Sequence, residues 1–255
     1  MTKPIQIKNL TIGAGIPKIC VPLTGTTEEK SAREAKDAKK AGADLVEWRA
    51  DFFEGLMDKE ACKQVLGKLS KSLERLRFFY YPHKRGRRKY CHLHGRLQRM
   101  LPKRCQKPHS RPCGCGSDGK SRREEKLVAE LQREGVKIIA SSHDFDKTDS
   151  QEILLDRFRE MEKSGADILK MAVMPHGFED VAAIMEATQC HEKRVQKPLV
   201  SMAMGSIGSI SRISGENFGS GITFGTVGAA SAPGQFPIGE LRSLLEALHK
   251  KNLEA

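Results

Sequence analysis

A lysine stands inside an otherwise apolar run at 167–173, DILKMAV, where water has little access to its ammonium. Burial disfavours the charged form of an amine, and a neutral amine attacks carbonyl carbon. The iminium that forms withdraws electrons from the adjacent carbon and eases loss of its proton. Lys170 is therefore the candidate covalent catalyst, with a purely structural pairing to Glu47 or Asp51 as the plainer alternative. A second apolar run ends in Ser142, His143 and Asp144, and imidazole takes up and returns a proton near neutrality. Alone, a histidine ending a strand is more often a hydrogen-bonding residue than a catalyst; beside Lys170 it becomes a general acid/base candidate. Glu47, Arg49 and Asp51 end another apolar run, and Arg212 in GSISRISGENFG offers a planar fork suited to a carboxylate. The segment SAPGQF at 231–236 brings a hydroxyl, a Pro-Gly turn and an amide into one short loop able to fold over a polar ligand.

These side chains need a scaffold that gathers the ends of several strands. Short apolar runs alternate with charged amphipathic segments along the chain, as expected of βα units around a parallel sheet. KICVPL (18–23), ADLVEW (43–48), VKIIASS (136–142), DILKMAV (167–173), PLVSMAM (198–204) and ITFGTV (222–227) read as strands buried on both faces. EEKSAREAKDAKKAGA, REEKLVAELQREG, SQEILLDRFREMEKSG, FEDVAAIMEAT and the stretch from Ile238 to His249 read as helices. AGADLVEWR (41–49) and SGADILKMA (164–172) end their units alike, with glycine closing a helix just before a strand. The 255 residues match the length of a single α/β barrel, about 250 residues, with an open doubly wound sheet as the alternative. The gap between Lys71 and Glu124 has room for two further strands, and IQIKNLTIG suits a small hairpin on the barrel floor.

In this order the motifs IKNLTIGAGIPKICVPL, ADLVEWRADFF, SSHDFDKT, ILKMAVMP, SMAMGSIGSISR, FGSGITFG and SAPGQ resemble the type I 3-dehydroquinate dehydratases, over residues 5–73 and 124–249. The resemblance implies a single (β/α)8 barrel over 1–255, usually a homodimer, that needs neither metal nor cofactor. It implies a lyase of the shikimate pathway that converts 3-dehydroquinate to 3-dehydroshikimate. By the family's pattern Lys170 forms the imine, His143 is the general acid/base, and Glu47 with Arg49 contacts substrate hydroxyls. Arg212, Ser231 and Gln235 would hold the carboxylate end, Met204 and Phe224 would shape the pocket, and Asp51 matches an acid beside the site. A different Schiff-base barrel lyase or aldolase is the nearest alternative.

One segment departs from this pattern. Residues 77–123 hold 15 of the 44 basic residues and one of the 32 acids, so the net charge of +12 is concentrated there and the remainder is near neutral. The family's third strand reads like FTIRTKxEGG, whereas this chain has RFFYYPHKRGRRKY, and no position in 74–123 receives a site role. Reading the codons of Tyr80 to Tyr90 from their middle bases permits T-I-R-T-K-E-G-G-E-S. The same offset turns 111–116 into D-L-V-D-V followed by an acid. The resulting hypothesis is that about 45 residues are translated out of frame, which disrupts strands 3 and 4 and impairs the enzyme. The rival is a basic insertion that binds nucleic acid, or zinc through Cys91, His92, His94, Cys105, Cys113 and Cys115. Yet C-H-x-H followed by C-x-C matches no standard zinc spacing. No apolar run is long enough for a membrane span and the N-terminus lacks a signal-peptide pattern, so a cytoplasmic protein with free thiols is expected.

Overall fold

The computed structural model describes residues 3–7, 9–72, 77–80, 132–133, 137–228 and 230–254; for residues 51, 57, 59, 70–72 and 77–80 it describes the backbone alone. A hairpin of β1 (Ile5–Ile7) and β2 (Leu10–Ile12) comes first, followed by β3 (Lys18–Leu23), α1 (Glu28–Lys40), β4 (Leu45–Trp48), α2 (Lys59–Ser72) and β5 (Arg77–Tyr80). Then come β6 (Ile139–His143), α3 (Gln151–Lys163), β7 (Ile168–Val173), α4 (Phe178–Glu192) and β8 (Leu199–Ala203). Two short turns, α5 (Ile210–Ile213) and α6 (Gly215–Phe218), precede β9 (Ile222–Phe224), and α7 (Ile238–Glu254) ends the described chain.

Parallel pairing runs β5-β4-β3-β9 and β6-β7-β8. The two arcs meet where Gly221 N–H donates to Leu199 O at 2.8 Å, beside a parallel bridge between Leu199 and Ser220. Seven parallel strands therefore follow one another as β5-β4-β3-β9-β8-β7-β6, with helices between them in sequence, which is the arrangement of a (β/α)8 barrel. A remaining strand between β5 and β6 would fall in 81–131, outside the described residues, as do the zinc-ligand candidates, most of the REEKLVAELQREG helix and all of 74–123 except 77–80. The third strand, expected to be disrupted, is present over Arg77–Tyr80 in full register with β4, from Leu45 opposite Arg77 to Trp48 opposite Tyr80. Phe78, Phe79 and Tyr80 are β-formers and precede the basic run.

The two similar unit ends fold identically. Gly42 and Gly165 both take positive φ, and the aspartate two residues later accepts from a backbone N–H at the start of the preceding strand. Asp44 accepts from Ile19 N–H at 2.8 Å and Asp167 from Ile138 N–H at 2.9 Å. At the other end of α1 Thr27 is the N-cap, its hydroxyl accepting from Lys30 N–H at 3.3 Å.

Strand alternation separates two environments. Ile19, Val21, Leu23, Val46 and Trp48 pack outward with Ala35, Ala38, Val65 and Leu241 of the surrounding helices. Leu169, Met171, Val173, Leu199 and Ala203 pack outward with Leu154, Phe158 and Ile184. The alternate positions Cys20, Leu45, Ile168, Ala172, Val200, Met202, Ile222 and Phe224 form the lumen, plugged by Ile12 with Ile5, Ile7 and Leu10 of the hairpin. By the same period of two, Glu47, Ser141, His143 and Lys170 face inward. The last strand and last helix differ from expectation only in extent: β9 ends at Phe224 rather than 227, and α7 runs on to Glu254.

Candidate active site

Inside the lumen, Lys170 Nζ donates to Glu47 Oε2 at 2.9 Å, and both side chains are buried. The same ammonium lies 4.0 Å from the centroid of the Phe224 ring, a cation–π contact on its apolar side. Lys170 comes from β7, Glu47 from β4 and Phe224 from β9, three strands spread round the barrel. The pairing offered as the plainer alternative for Lys170 is thus present, and it is also the geometry in which a carboxylate stands ready to take the amine's proton. Cys20, which sequence reasoning left unassigned, is buried in the same lumen. Burial pushes its thiol well above the usual range, the Glu47 carboxylate adds to this and Lys170 opposes it, so Cys20 stays protonated beside the pair. Its signal was its place in KICVPL, one face with Pro22.

His143 ends β6 on the inward face. Ser141 lies opposite Lys170 and His143 opposite Ala172, two residues above the lysine on the neighbouring strand. Strand spacing of about 4.8 Å and a rise of about 6.6 Å for two residues put the two Cα atoms roughly 8 Å apart, within joint reach of one small substrate. The imidazole meets the ring of Phe145 edge-on at 5.7 Å between centroids. Ser141 Oγ is buried with no hydrogen-bond partner among the described residues, a further polar group in this wall of the lumen.

Arg212 sits on α5, above β8, and is only 1% exposed. Its Nη1 donates to Met202 Sδ at 3.6 Å and its Nη2 to Pro233 O at 3.1 Å, while Nε has no partner among the described residues. Burial pulls the guanidinium down to about 10, and no described carboxylate pairs with it. Among the described residues its company is a thioether and a carbonyl, a setting in which a desolvated guanidinium can take up an anion. The SAPGQF loop closes over it. Gln235 Oε1 accepts from Ser231 N–H at 2.9 Å, Ser231 Oγ at 3.2 Å and Ala232 N–H at 3.3 Å, and Pro233 O also accepts from Gly205 N–H at 3.2 Å. Gly234, at φ 76°, fits because any Cβ there would stand 2.1 Å from Gly205 O.

Met204, just past β8, is buried and donates its N–H to Val173 O at 2.8 Å. Arg49 follows β4, with its guanidinium carbon 4.8 Å from the centroid of Phe52. Asp51 lies in the next turn, and its side chain is outside the described residues. The structure therefore joins Lys170, Glu47 and Phe224 directly, and joins Arg212, Ser231 and Gln235 through Pro233. Met202, an inward residue of β8, stands two positions from Val200, the register partner of Lys170, and links the two groups.

A family model for type I 3-dehydroquinase matches the chain over residues 19–92 and 117–252, which carry both the buried Lys170–Glu47 pair and the buried Arg212. The chain belongs to the type I 3-dehydroquinase family. The match continues past residue 73 and resumes before 124, leaving 93–116 unmatched inside the basic segment. The chain is 38% identical to the 3-dehydroquinate dehydratase of Bacillus subtilis over 249 residues, covering 96% of this chain and 97% of that one. It is 36% identical to that of Clostridioides difficile over 258 residues, covering 98% and 99%. Among solved structures, the 3-dehydroquinate dehydratase of Geobacillus kaustophilus superposes with a TM-score of 0.81 at 30% identity, covering 97% of each chain. The type I enzyme of Clostridium difficile, solved with covalently modified comenic acid, superposes with a TM-score of 0.77 at 32% identity over 98% and 99%. The fold is accordingly the family's TIM barrel. Among the described residues no helix is long and apolar enough to cross a membrane, and no group of three or more His, Cys, Asp or Glu could hold a metal ion.

Proposed function

We propose that this chain dehydrates 3-dehydroquinate to 3-dehydroshikimate, the hydro-lyase step of the shikimate pathway, through an imine on Lys170. The observation that carries the mechanism is the inward lysine with a carboxylate at 2.9 Å and an aromatic face at 4.0 Å. Glu47 takes a proton from the Lys170 ammonium, and the neutral amine adds to the C3 ketone. Loss of water from the carbinolamine gives the iminium, which acidifies C2. His143 removes a C2 proton to give an enamine, whose collapse expels the C1 hydroxyl as water with the proton held on His143. Hydrolysis of the iminium then releases product and restores Lys170.

Arg212 binds the substrate carboxylate, which supplies the negative charge its buried guanidinium lacks, and Ser231 and Gln235 enclose that end. Glu47 and Arg49 meet the ring hydroxyls, and Met204 and Phe224 shape the pocket. The protein works in the cytoplasm as a homodimer, without metal or cofactor, and its basic segment serves no specific nucleic-acid partner. It forms one domain, with 74–123 as an aberrant basic segment within it. Borohydride reduction during turnover of 3-dehydroquinate, followed by peptide mass mapping, should place the label on the peptide containing Lys170. Turnover with no label there would refute the assignment.

A further inference from the structure

The loop that leaves His143 is held from beneath by one arginine. Arg157, on the inner side of α3, contacts the carboxylates of Asp149 and, at 3.7 Å, Asp144, and all three side chains are largely withdrawn from water. Asp144 directly follows His143. Its N–H donates to Ala172 O at 2.9 Å, which ties the end of β6 to the strand carrying Lys170. Its Oδ1 accepts from the N–H groups of Asp146 and Lys147, both at 3.1 Å, so one carboxylate sets the turn that follows. Asp149 closes the loop at its far end, where it also pairs with Lys147. The loop is docked in turn on the segment after β7: Thr148 Oγ1 donates to Met174 O at 3.0 Å, and the His176 ring meets Asp146 O at 2.7 Å. Both ends of 144–149 thus converge on one guanidinium, and the nearest residue that it fixes is the neighbour of His143.

We propose that Arg157 is a positioning residue for the reaction: by clamping Asp144 and Asp149 it holds His143 in register with Lys170 for proton transfer at the iminium. Arg157 touches neither substrate nor reacting atoms and acts through the loop. Its fork suits the task because it reaches two carboxylates from one planar group, which a lysine ammonium does less well. The inference rests on the acid/base role proposed above for His143.

Full-length Arg157→Met, Arg157→Lys and His143→Ala are compared with the unaltered chain for kcat, KM, melting temperature and the fraction of Lys170 trapped by borohydride at steady state. A displacement of about 1 Å at the reacting group costs on the order of 10²-fold in rate, and that fall in kcat is expected for Arg157→Met. KM should change little, and the trapped fraction should rise, because the iminium forms before the impaired proton removal. Arg157→Lys should recover part of kcat at an unchanged melting temperature. Unchanged kcat and trapping in Arg157→Met would overturn the proposal, as would a fall in kcat matched by an equal fall in trapped Lys170, which signals only lost folded protein. If Arg157→Met does not fold, Arg157→Lys decides: reduced kcat with raised trapping supports the clamp, and wild-type values overturn it. Full turnover by His143→Ala would instead refute the acid/base role itself.

Discussion

Separating Lys170 from Glu47 should produce two single variants with opposite pH dependence and a double variant close to the original stability. At 2.9 Å the pair's attraction is about 6 kcal/mol at an effective dielectric of about 20, and desolvation of the two charges offsets much of it. Removal of one partner leaves the other buried and uncompensated, and the remaining group then escapes by neutralising. Deprotonating a lysine at pH 7 costs at most about 4.6 kcal/mol, and protonating a glutamate at most about 3.7 kcal/mol, at about 1.36 kcal/mol per pH unit from their ordinary values. Glu47→Leu should therefore lose about 3–5 kcal/mol at pH 7, and Lys170→Met about 2–4 kcal/mol. In Glu47→Leu the unfolded chain binds one more proton than the folded one, so stability rises with pH, by up to about 1.4 kcal/mol per unit. In Lys170→Met the folded chain binds the extra proton, so stability falls as pH rises. The double variant, with an apolar side chain at both positions, should match or exceed the parent. Urea unfolding at pH 6, 7 and 8 reads all four chains. Single variants within about 1 kcal/mol of the parent, with no opposed slopes, would show that the pair is not held in a dry lumen and would refute the reasoning.

His191, near the end of α4, stacks on Phe158 with centroids 5.2 Å apart, and burial lowers its imidazole below the ordinary range. The unfolded chain therefore binds a proton that the folded one resists: stability is full above about pH 6.5 and falls as pH drops toward the folded value. His191→Phe keeps the stack, and acid-side melting curves should lose that component; an unchanged slope below pH 6.5 would count against it. Replacing 74–123 by the chain read in the shifted frame should raise the melting temperature and increase turnover by about 10² or more, the range lost when acid–base catalysis is impaired. Formation of the enone product, followed by its ultraviolet absorbance, measures this, and equal values in both chains would show that the basic segment is a true part of the enzyme.

The local physics of the strands was legible in the residues themselves. Continuous apolar runs between amphipathic helices require burial on both faces, and the repeated Gly-Ala-Asp endings fold alike because each glycine adopts a left-handed turn and each aspartate accepts the same kind of backbone N–H. Lys170 stood out because an ammonium in ILKMAV has no local source of solvation, and His143 because it ends such a run. Partnership was not legible. Glu47 lies 123 residues from Lys170, and only closure of the sheet sets β4 opposite β7 so that the two meet. Phe224 reaches the ammonium for the same reason, and the burial of Arg212 without a carboxylate partner among the described residues appears only when α5 and the 231–235 loop come together. Arg157 looked like any charged residue on an amphipathic helix; its contact with both ends of the His143 loop depends on how α3 docks beneath β6. Alternation along a strand tells which residues share a face, but which faces oppose one another, and therefore which charges must answer each other in a dry interior, is decided by the closed barrel.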